Sequence, residues 1–302
     1  MGLYFAVAGF GLAAEPFDLG LTAYREGNFS KAFQIWRTLA ENGDPIAQVY
    51  LGLLYLNGQG APRDLSSAAY WYRRAAERGN AAAQHNLGWA YENGYGVPRD
   101  EAQAADWYRR SAEQGNADAQ VKLARLYEAG LGLPKDLNAA FKWYHVAADK
   151  GDATAQFHLG EMYMSGIGVP RDLAQAVQWY AAAADQGEPL AQNDLGMLYK
   201  LGGGVPVNPS KALSLFEKAA AQCVPQSQFN IGLLYLSGID APSDYVKAYA
   251  WFDVASRTGD DAIRLQAQSK LVFIAAKLAP LQIVEAQKMA LANTPSCSAP
   301  SP

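Results

Sequence analysis

A repeat of 36 residues runs through most of this chain and constrains its fold more than any other feature. The same residue types return at unchanged spacing in copies that need no insertion to stay in register. A fixed period of this length is typical of stacked helical repeats. The copies span residues 43–78, 79–114, 115–150, 151–186, 187–222 and 223–258. The second copy carries the pattern as Gly79-Asn80, Ala83-Gln84, Leu87-Gly88, Tyr91, Gly94, Gly96, Pro98, Asp100 and Trp107-Tyr108.

Each copy predicts two helices joined by a loop. In the second copy, Leu87 and Tyr91 are four residues apart and therefore share one face of a helix. Gly94 ends that helix, and Pro98 cannot continue it. Asp100 is a good N-cap for the second helix. A glycine inside a helix, such as Gly88, lowers helix stability by about 1 kcal/mol relative to alanine, so we expect it to allow close helix packing.

The predicted fold is therefore an all-α, α/α superhelical solenoid of about eight helix pairs in one domain, residues 15–292. A shortened opening pair covers residues 17–42, with a turn at Gly27-Asn28. The six repeats follow. Two closing helices are predicted, one over residues 261–278 and one that starts at Pro280. Residues 293–302 are rich in Pro and Ser and predict a flexible tail.

The pattern resembles the Sel-one-like repeat (SLR) family, which is related to the tetratricopeptide repeats. The resemblance rests on Ala-Gln-x-x-Leu-Gly-x-x-Tyr-x-x-Gly-x-Gly-Val-Pro-x-Asp, followed by Ala-x-x-Trp-Tyr-x-x-Ala-Ala, in several adjacent copies. It implies a solenoid that mediates protein–protein or protein–glycan contacts, and bacterial members are often exported. It implies no single partner.

Recurring residues are expected to maintain the fold, and residues that differ between copies at exposed positions to determine what is bound. Six of the seven tryptophans lie on second helices and are predicted to be core. Trp89 lies instead on a first helix, whose outer side is predicted to line a concave groove. This groove is predicted to contain Tyr50, Leu53, Asn86, Trp89, Lys122, Arg125, His158, Glu161, Asp194, Met197, Asn230 and Leu233.

The groove is predicted to bind an extended peptide or a partner helix. Trp89 would be the apolar anchor, and Lys122 with Arg125 would bind an acidic group. One alternative is a solvated wall on which Trp89 packs against its own neighbours. Another is a regulator that binds cell-wall glycan or a cell-wall enzyme, since an aromatic-bearing polar groove also suits sugar.

Catalytic chemistry finds little support in the sequence. The three histidines fall on different repeats, and none forms a pair with metal-site spacing. Neither a nucleophile elbow nor a phosphate loop is present. A hydrolase acting through His158 and Glu161, which lie three residues apart, is the remaining enzymatic alternative. No cofactor or metal is predicted.

Net charge of −4 gives no electrostatic reason to expect nucleic acid as a partner. No stretch is long and apolar enough for a transmembrane segment. Residues 1–14 carry a ten-residue apolar run followed by a small-x-small site, which favours a cleaved signal peptide and a periplasmic or secreted protein. A short apolar N-terminus packed on the first helix pair, in a cytoplasmic protein, is the alternative. In an exported protein, Cys223 and Cys297 could form a disulfide.

Overall fold

The computed structural model describes residues 16–238 and 244–294, and these ranges contain sixteen α-helices and no strand. The chain divides into two compact units, Met1–Asp136 and Leu137–Pro302. The first unit contains α1 (Pro16–Arg25), α2 (Phe29–Glu41), α3 (Pro45–Asn57), α4 (Leu65–Ala76), α5 (Ala81–Asn93), α6 (Glu101–Glu113) and α7 (Ala117–Ala129). The second contains α8 (Leu137–Asp149), α9 (Ala153–Ser165), α10 (Leu173–Asp185), α11 (Pro189–Leu201), α12 (Pro209–Ala221), α13 (Pro225–Ser237), α14 (Tyr245–Thr258), α15 (Asp261–Ala275) and α16 (Pro280–Asn293). The predicted all-α solenoid of helix pairs is confirmed.

The caps lie where the repeat predicts them. The Asp100 carboxylate accepts hydrogen bonds from the backbone N–H groups of Ala102 and Gln103 at the start of α6. Gly94 ends α5 in the left-handed conformation, with φ of 73°. These groups satisfy the backbone donors and acceptors that a helix leaves unpaired at its ends. The same two signals therefore fix both ends of the loop between the paired helices.

Helices within a pair approach closely because glycine faces an aromatic ring. A Cβ added to Gly88 would lie 2.9 Å from Cδ1 of Tyr108, so α5 and α6 could not keep this separation with any larger residue. The same contact joins Gly52 to Tyr72. In the second unit it recurs for Gly160 with Tyr180, Gly196 with Phe216 and Gly232 with Phe252. The role predicted for the helical glycine is confirmed.

The predicted core role of the tryptophans needs correction. Counting 36 residues from Trp36 leads to Tyr72 and not to Trp71. Trp36 therefore takes the place of the tyrosine that faces the helical glycine, and both residues are fully buried. Of the remaining second-helix tryptophans, Trp107 is buried, whereas the other four are partly exposed. The tyrosine position, and not the tryptophan position, forms the innermost layer of each pair.

Neighbouring repeats are joined by the glutamine of the Ala-Gln motif. Gln84 Nε2 donates to the Ala76 carbonyl at the end of the preceding second helix, at 3.2 Å. Gln120 repeats this bond to Ala112, as Gln192 does to Ala184. The Ala76 carbonyl also accepts from the Gly79 N–H, so the glutamine adds a second bond to a helix-end carbonyl and its own buried amide is satisfied there, which explains why glutamine recurs at this position.

The two closing helices are present, but they do not form a regular pair. Helix α15 takes the place of a seventh first helix, because Ala267 packs with Phe229 and Phe252 on α13 and α14. Helix α16 instead packs against the other side of α14, where Ala250 contacts Ala286. Both closing helices therefore pack mainly against α14.

Candidate partner-binding surface

The twelve residues predicted to line the groove form two rows on the first helices. We name as row A the residues Tyr50, Asn86, Lys122, His158, Asp194 and Asn230. We name as row B the residues Leu53, Trp89, Arg125, Glu161, Met197 and Leu233. With about 100° of rotation per residue, row A lies about 100° from the buried leucine of its helix and row B about 160° from it on the same side. Row A therefore borders the core, and row B faces away from it.

In the first unit, Lys122 of row A is already paired within the protein. Its Nζ lies 3.0 Å from Oε2 of Glu92, which belongs to the preceding first helix. The Tyr108 hydroxyl donates to the same carboxylate oxygen at 2.5 Å. Lys122 is therefore not the unpaired cation that the sequence predicts, and Glu92 is a residue that the sequence reasoning missed.

The Glu92 carboxylate is held in its charged form. Burial acts to raise its pKa, but hydrogen bonds from Tyr108 and Lys122 and the positive charges of Lys122 and Arg125 outweigh it and lower the pKa below the usual glutamate value. Burial, together with the hydrogen bond to Glu92, raises the pKa of Tyr108. The cluster is thus an ion pair that joins two repeats, and its role is to stabilise the fold.

Tyr50, the first residue of row A, belongs to an aromatic cluster at the opening of the chain. Its ring lies 4.7 Å from that of Trp36 and 5.3 Å from that of Phe17, measured between centroids. Asn86 is partly buried and contacts its neighbour His85. Both side chains therefore make their main contacts inside the protein.

Row A in the second unit also makes internal contacts. The His158 ring stacks on Tyr144 with centroids 4.7 Å apart. Asp194 accepts a hydrogen bond from Asn193 at 2.9 Å. Burial raises the pKa of Asp194, the Asn193 hydrogen bond opposes this rise, and the nearby charge of Glu161 adds to it.

Asn230 differs most from its prediction as an exposed groove residue. It is only 2% exposed, and its amide donates to Asn193 Oδ1 at 3.1 Å. Ser227 donates to the same oxygen at 2.8 Å. A buried amide must be hydrogen-bonded, and the bond between Asn193 and Asn230 meets this need in the interface between α11 and α13. Asn230 is therefore not available to a partner in this structure.

Row B of the first unit presents the side chains that a partner could reach. Arg125 is exposed and makes no ion pair within the described ranges of the chain. Trp89 is partly exposed, and its ring lies 4.7 Å from that of Tyr95, measured between centroids. Tyr95 comes from the inter-helix loop and was not predicted from the sequence. Leu53, in the first repeat, is partly buried.

Row B of the second unit combines a carboxylate with apolar side chains. Glu161 is exposed, and its Oε2 lies 2.9 Å from Nδ1 of His158. Met197 and Leu233 are partly buried against the neighbouring cores. Leu201, four residues after Met197, is 68% exposed and was also missed. Its neighbouring copies carry small or polar residues, and this contrast is the sequence signal that could have identified it.

The structure brings together His158 and Glu161, the pair considered for hydrolysis, and the two side chains contact each other. Within residues 16–238 and 244–294, no group of three or more His, Cys, Asp or Glu side chains could hold a metal ion. No described helix is long and apolar enough to cross a membrane.

Cys223 occupies a position at which every earlier repeat has glycine. It is the one non-glycine residue of the described chain with positive φ, at 67°. Cys297 lies outside the described residues, as do residues 1–15. The proposed disulfide and the proposed signal peptide therefore stay predictions.

Comparison with known proteins identifies the class to which this helical array belongs. The Sel1 repeat family matches residues 45–80, 81–116, 117–152, 153–188, 189–222 and 225–260. The chain belongs to the Sel1 repeat family. This solenoid fold is typical of scaffolds for protein–protein interaction.

Two solved structures of the same kind resemble it. The Sel1 repeat protein of Oxalobacter formigenes is 32% identical, with a TM-score of 0.73 over 80% of this chain and 97% of that one. The protective antigen c5321 of uropathogenic Escherichia coli, which displays an SLR fold, is 25% identical, with a TM-score of 0.53 over 92% of this chain and 83% of that one.

A more distant likeness concerns the fold alone. Yeast Tom70 is 12% identical, with a TM-score of 0.50 over 93% of this chain and 69% of that one. Among curated proteins, none matches the sequence significantly.

Proposed function

We propose that this protein is a non-enzymatic scaffold or regulator that binds an extended peptide or a partner helix through the row B residues of its first unit. One observation carries the proposal. At the row B position, which varies between repeats, Arg125 is exposed and Trp89 partly exposed, whereas the recurring residues are used in packing. Solenoids bind partners through such extended surfaces.

The first unit supplies the most specific elements for recognition. The rings of Trp89 and Tyr95 contact each other, and both residue types are enriched among the few residues that dominate binding energy at interfaces. Arg125 offers an unpaired guanidinium that can bind a carboxylate through two hydrogen bonds. A ligand with an aromatic or aliphatic side chain and a nearby carboxylate fits this set. Lys122 positions Glu92 through their ion pair and does not itself contact the ligand in this proposal.

We also propose that the protein acts in the bacterial cell envelope, in the periplasm or beyond. The apolar run followed by small residues within residues 1–14 supports this location. Intact mass of the protein purified from its native host tests it. A mature chain that begins near Glu15 supports export, and a chain that retains Met1 contradicts it.

Partner capture by matched variants tests the binding surface. Trp89→Ala and Arg125→Glu are compared with Tyr70→Ala and Lys218→Glu, which change an exposed aromatic residue and an exposed charge on second helices. We expect the row B variants to capture at least tenfold less of the native partner than the wild type, and the second-helix variants to capture as much as the wild type. Equal capture by all four folded variants would contradict the proposal.

A soluble cell-wall glycan added to the same capture assay distinguishes the glycan alternative. Displacement by an acidic peptide but not by glycan supports protein recognition. Displacement by glycan alone would show that Trp89 and Tyr95 form a sugar platform instead.

A further inference from the structure

Helix α16 buries the opposite face from an ordinary second helix. Its residue Leu281 lies 180 residues after Glu101, which is five whole repeats, so α16 stands where the second helix of a seventh repeat would be. In α6, Ala104, Tyr108 and Ser111 face the core. Their counterparts in α16, Val284, Lys288 and Leu291, are all exposed.

The other face of α16 covers α14. Ala286 and Ala290 pack against Ala250 and Val254, and all four are fully buried. In an inner repeat this side of the second helix is open to solvent. Val146, three repeats before Val254, is 42% exposed. Helix α16 is thus turned by half a revolution, and it presents outward the face that an ordinary second helix uses for packing.

That outward face carries an apolar stripe. Leu281 is 84% exposed, Val284 46% and Leu291 65%. Together with Lys288 they are spaced three, four and three residues apart, which is the a and d pattern of a helix that pairs with another helix. Terminal repeats of a solenoid ordinarily have a polar outer face, because no further repeat covers them. An exposed stripe of this kind indicates that something covers it.

We propose that a second copy of this chain covers it, with the two α16 helices packed antiparallel about a two-fold axis near Ala286. The spacing of the stripe along α16 supports a second copy as the partner. Residues equally far from position 286 then face each other, so Leu281 lies opposite Leu291 of the partner subunit. Such an interface is isologous, since one stripe supplies both sides.

The charges beside the stripe fit the same arrangement. Glu285 and Lys288 are both exposed, and neither forms an ion pair within the described part of the chain. In the antiparallel pair, Lys288 lies opposite Val284 of the partner subunit and therefore beside Glu285 of the partner subunit. Two symmetric ion pairs would then flank the apolar contact, and a lysine at one a position helps to fix the number and register of the helices.

Concentration-dependent sedimentation of the full chain under reducing conditions tests the dimer. One helix pair is smaller than a standard interface, so we expect a dissociation constant in the range of roughly 1–100 μM. Leu281→Asp and Leu291→Asp should each raise it at least tenfold. Leu265→Asp is the matched control, because Leu265 is 66% exposed on the neighbouring helix α15, and it should leave dimerisation unchanged.

A charge exchange separates a second copy from any other occupant. Glu285→Lys and Lys288→Glu should each weaken the dimer severalfold, and the double variant should regain wild-type affinity. A wild-type chain that stays monomeric at 200 μM (roughly twice the weakest constant expected for so small an interface) would overturn the proposal. Loss of the dimer in Leu265→Asp, or failure of the double variant to recover, would also overturn it.

Discussion

The Tyr108 hydroxyl donates a 2.5 Å hydrogen bond to the Glu92 carboxylate, joining the second helix of one repeat to its first helix. Because Lys122 of the next first helix contacts the same carboxylate, one side chain connects three helices of two repeats. In an array whose repeats contact only their neighbours, stability depends on such contacts between repeats. Glu92 thus stabilises the stack beside the surface that we assign to binding.

Glu92→Gln should lower stability in a pH-dependent way. The folded state lowers the pKa of Glu92, so its stabilising contribution is complete above the unfolded value near 4.5. The contribution is lost as pH falls through the folded pKa, where the carboxylate becomes protonated. Urea unfolding of both proteins from pH 7 to pH 3 measures the difference. We expect it to be largest at pH 6–7 and to shrink below about pH 5; a difference that does not vary with pH would contradict the role of the charge.

Gly88→Ala should destabilise the chain through its contact with Tyr108. Overpacking costs roughly 1–3 kcal/mol, and the better helix propensity of alanine returns about 1 kcal/mol, so a net loss of about 1 kcal/mol is expected. A double-mutant cycle isolates the contact. In a Tyr108→Ala background, Gly88→Ala should be neutral or stabilising, because the ring is gone. An equal loss in both backgrounds would show that the ring contact is not the cause.

Cys223→Gly should stabilise the reduced protein. An L-residue with left-handed backbone costs about 1–2 kcal/mol, and the greater freedom of glycine in the unfolded chain offsets about 0.4–1 kcal/mol, so a gain of about 0.5–1 kcal/mol is expected.

Gly79→Ala is the reverse control, because φ there is 87° and an added Cβ meets no atom within 4 Å. By the same balance of backbone strain and unfolded-state freedom it should lower stability by about 0.5–1 kcal/mol, with no contribution from a steric contact. Thermal unfolding with reductant present gives both values. A destabilised Cys223→Gly protein would contradict the strain argument.

The sequence predicts the repeat architecture well because each signal acts locally. Asp100 caps a helix through its own backbone neighbours, and Gly94 adopts a left-handed conformation that needs no distant contact. The role of the helical glycine can also be predicted. Glycine lowers the stability of a helix, so its presence implies a packing role, and at Gly88 it makes room for the ring of Tyr108.

The predictions that needed correction depend on small rotations and on partners from other repeats. Rows A and B are three residues apart on each helix, so a rotation of only about 60° separates them, yet Asn230 of row A is buried whereas Arg125 of row B is exposed. The pairing of Lys122 requires a glutamate 30 residues earlier, at a position where the other copies vary. The reversal of α16 depends on alanines that pack on α14, and its sign in the sequence is Lys288, which stands where the repeat has its buried aromatic residue.

Photo-crosslinking in the native host tests the central claim most directly, namely that the first-helix surface binds a partner. A photoreactive phenylalanine analogue placed at position 89 is compared with the same analogue at position 70, where Tyr70 is 51% exposed on a second helix. We predict a discrete crosslinked protein from position 89 that disappears when Arg125→Glu is added, and none from position 70. No crosslink from position 89, or the same product from both positions, would contradict the account.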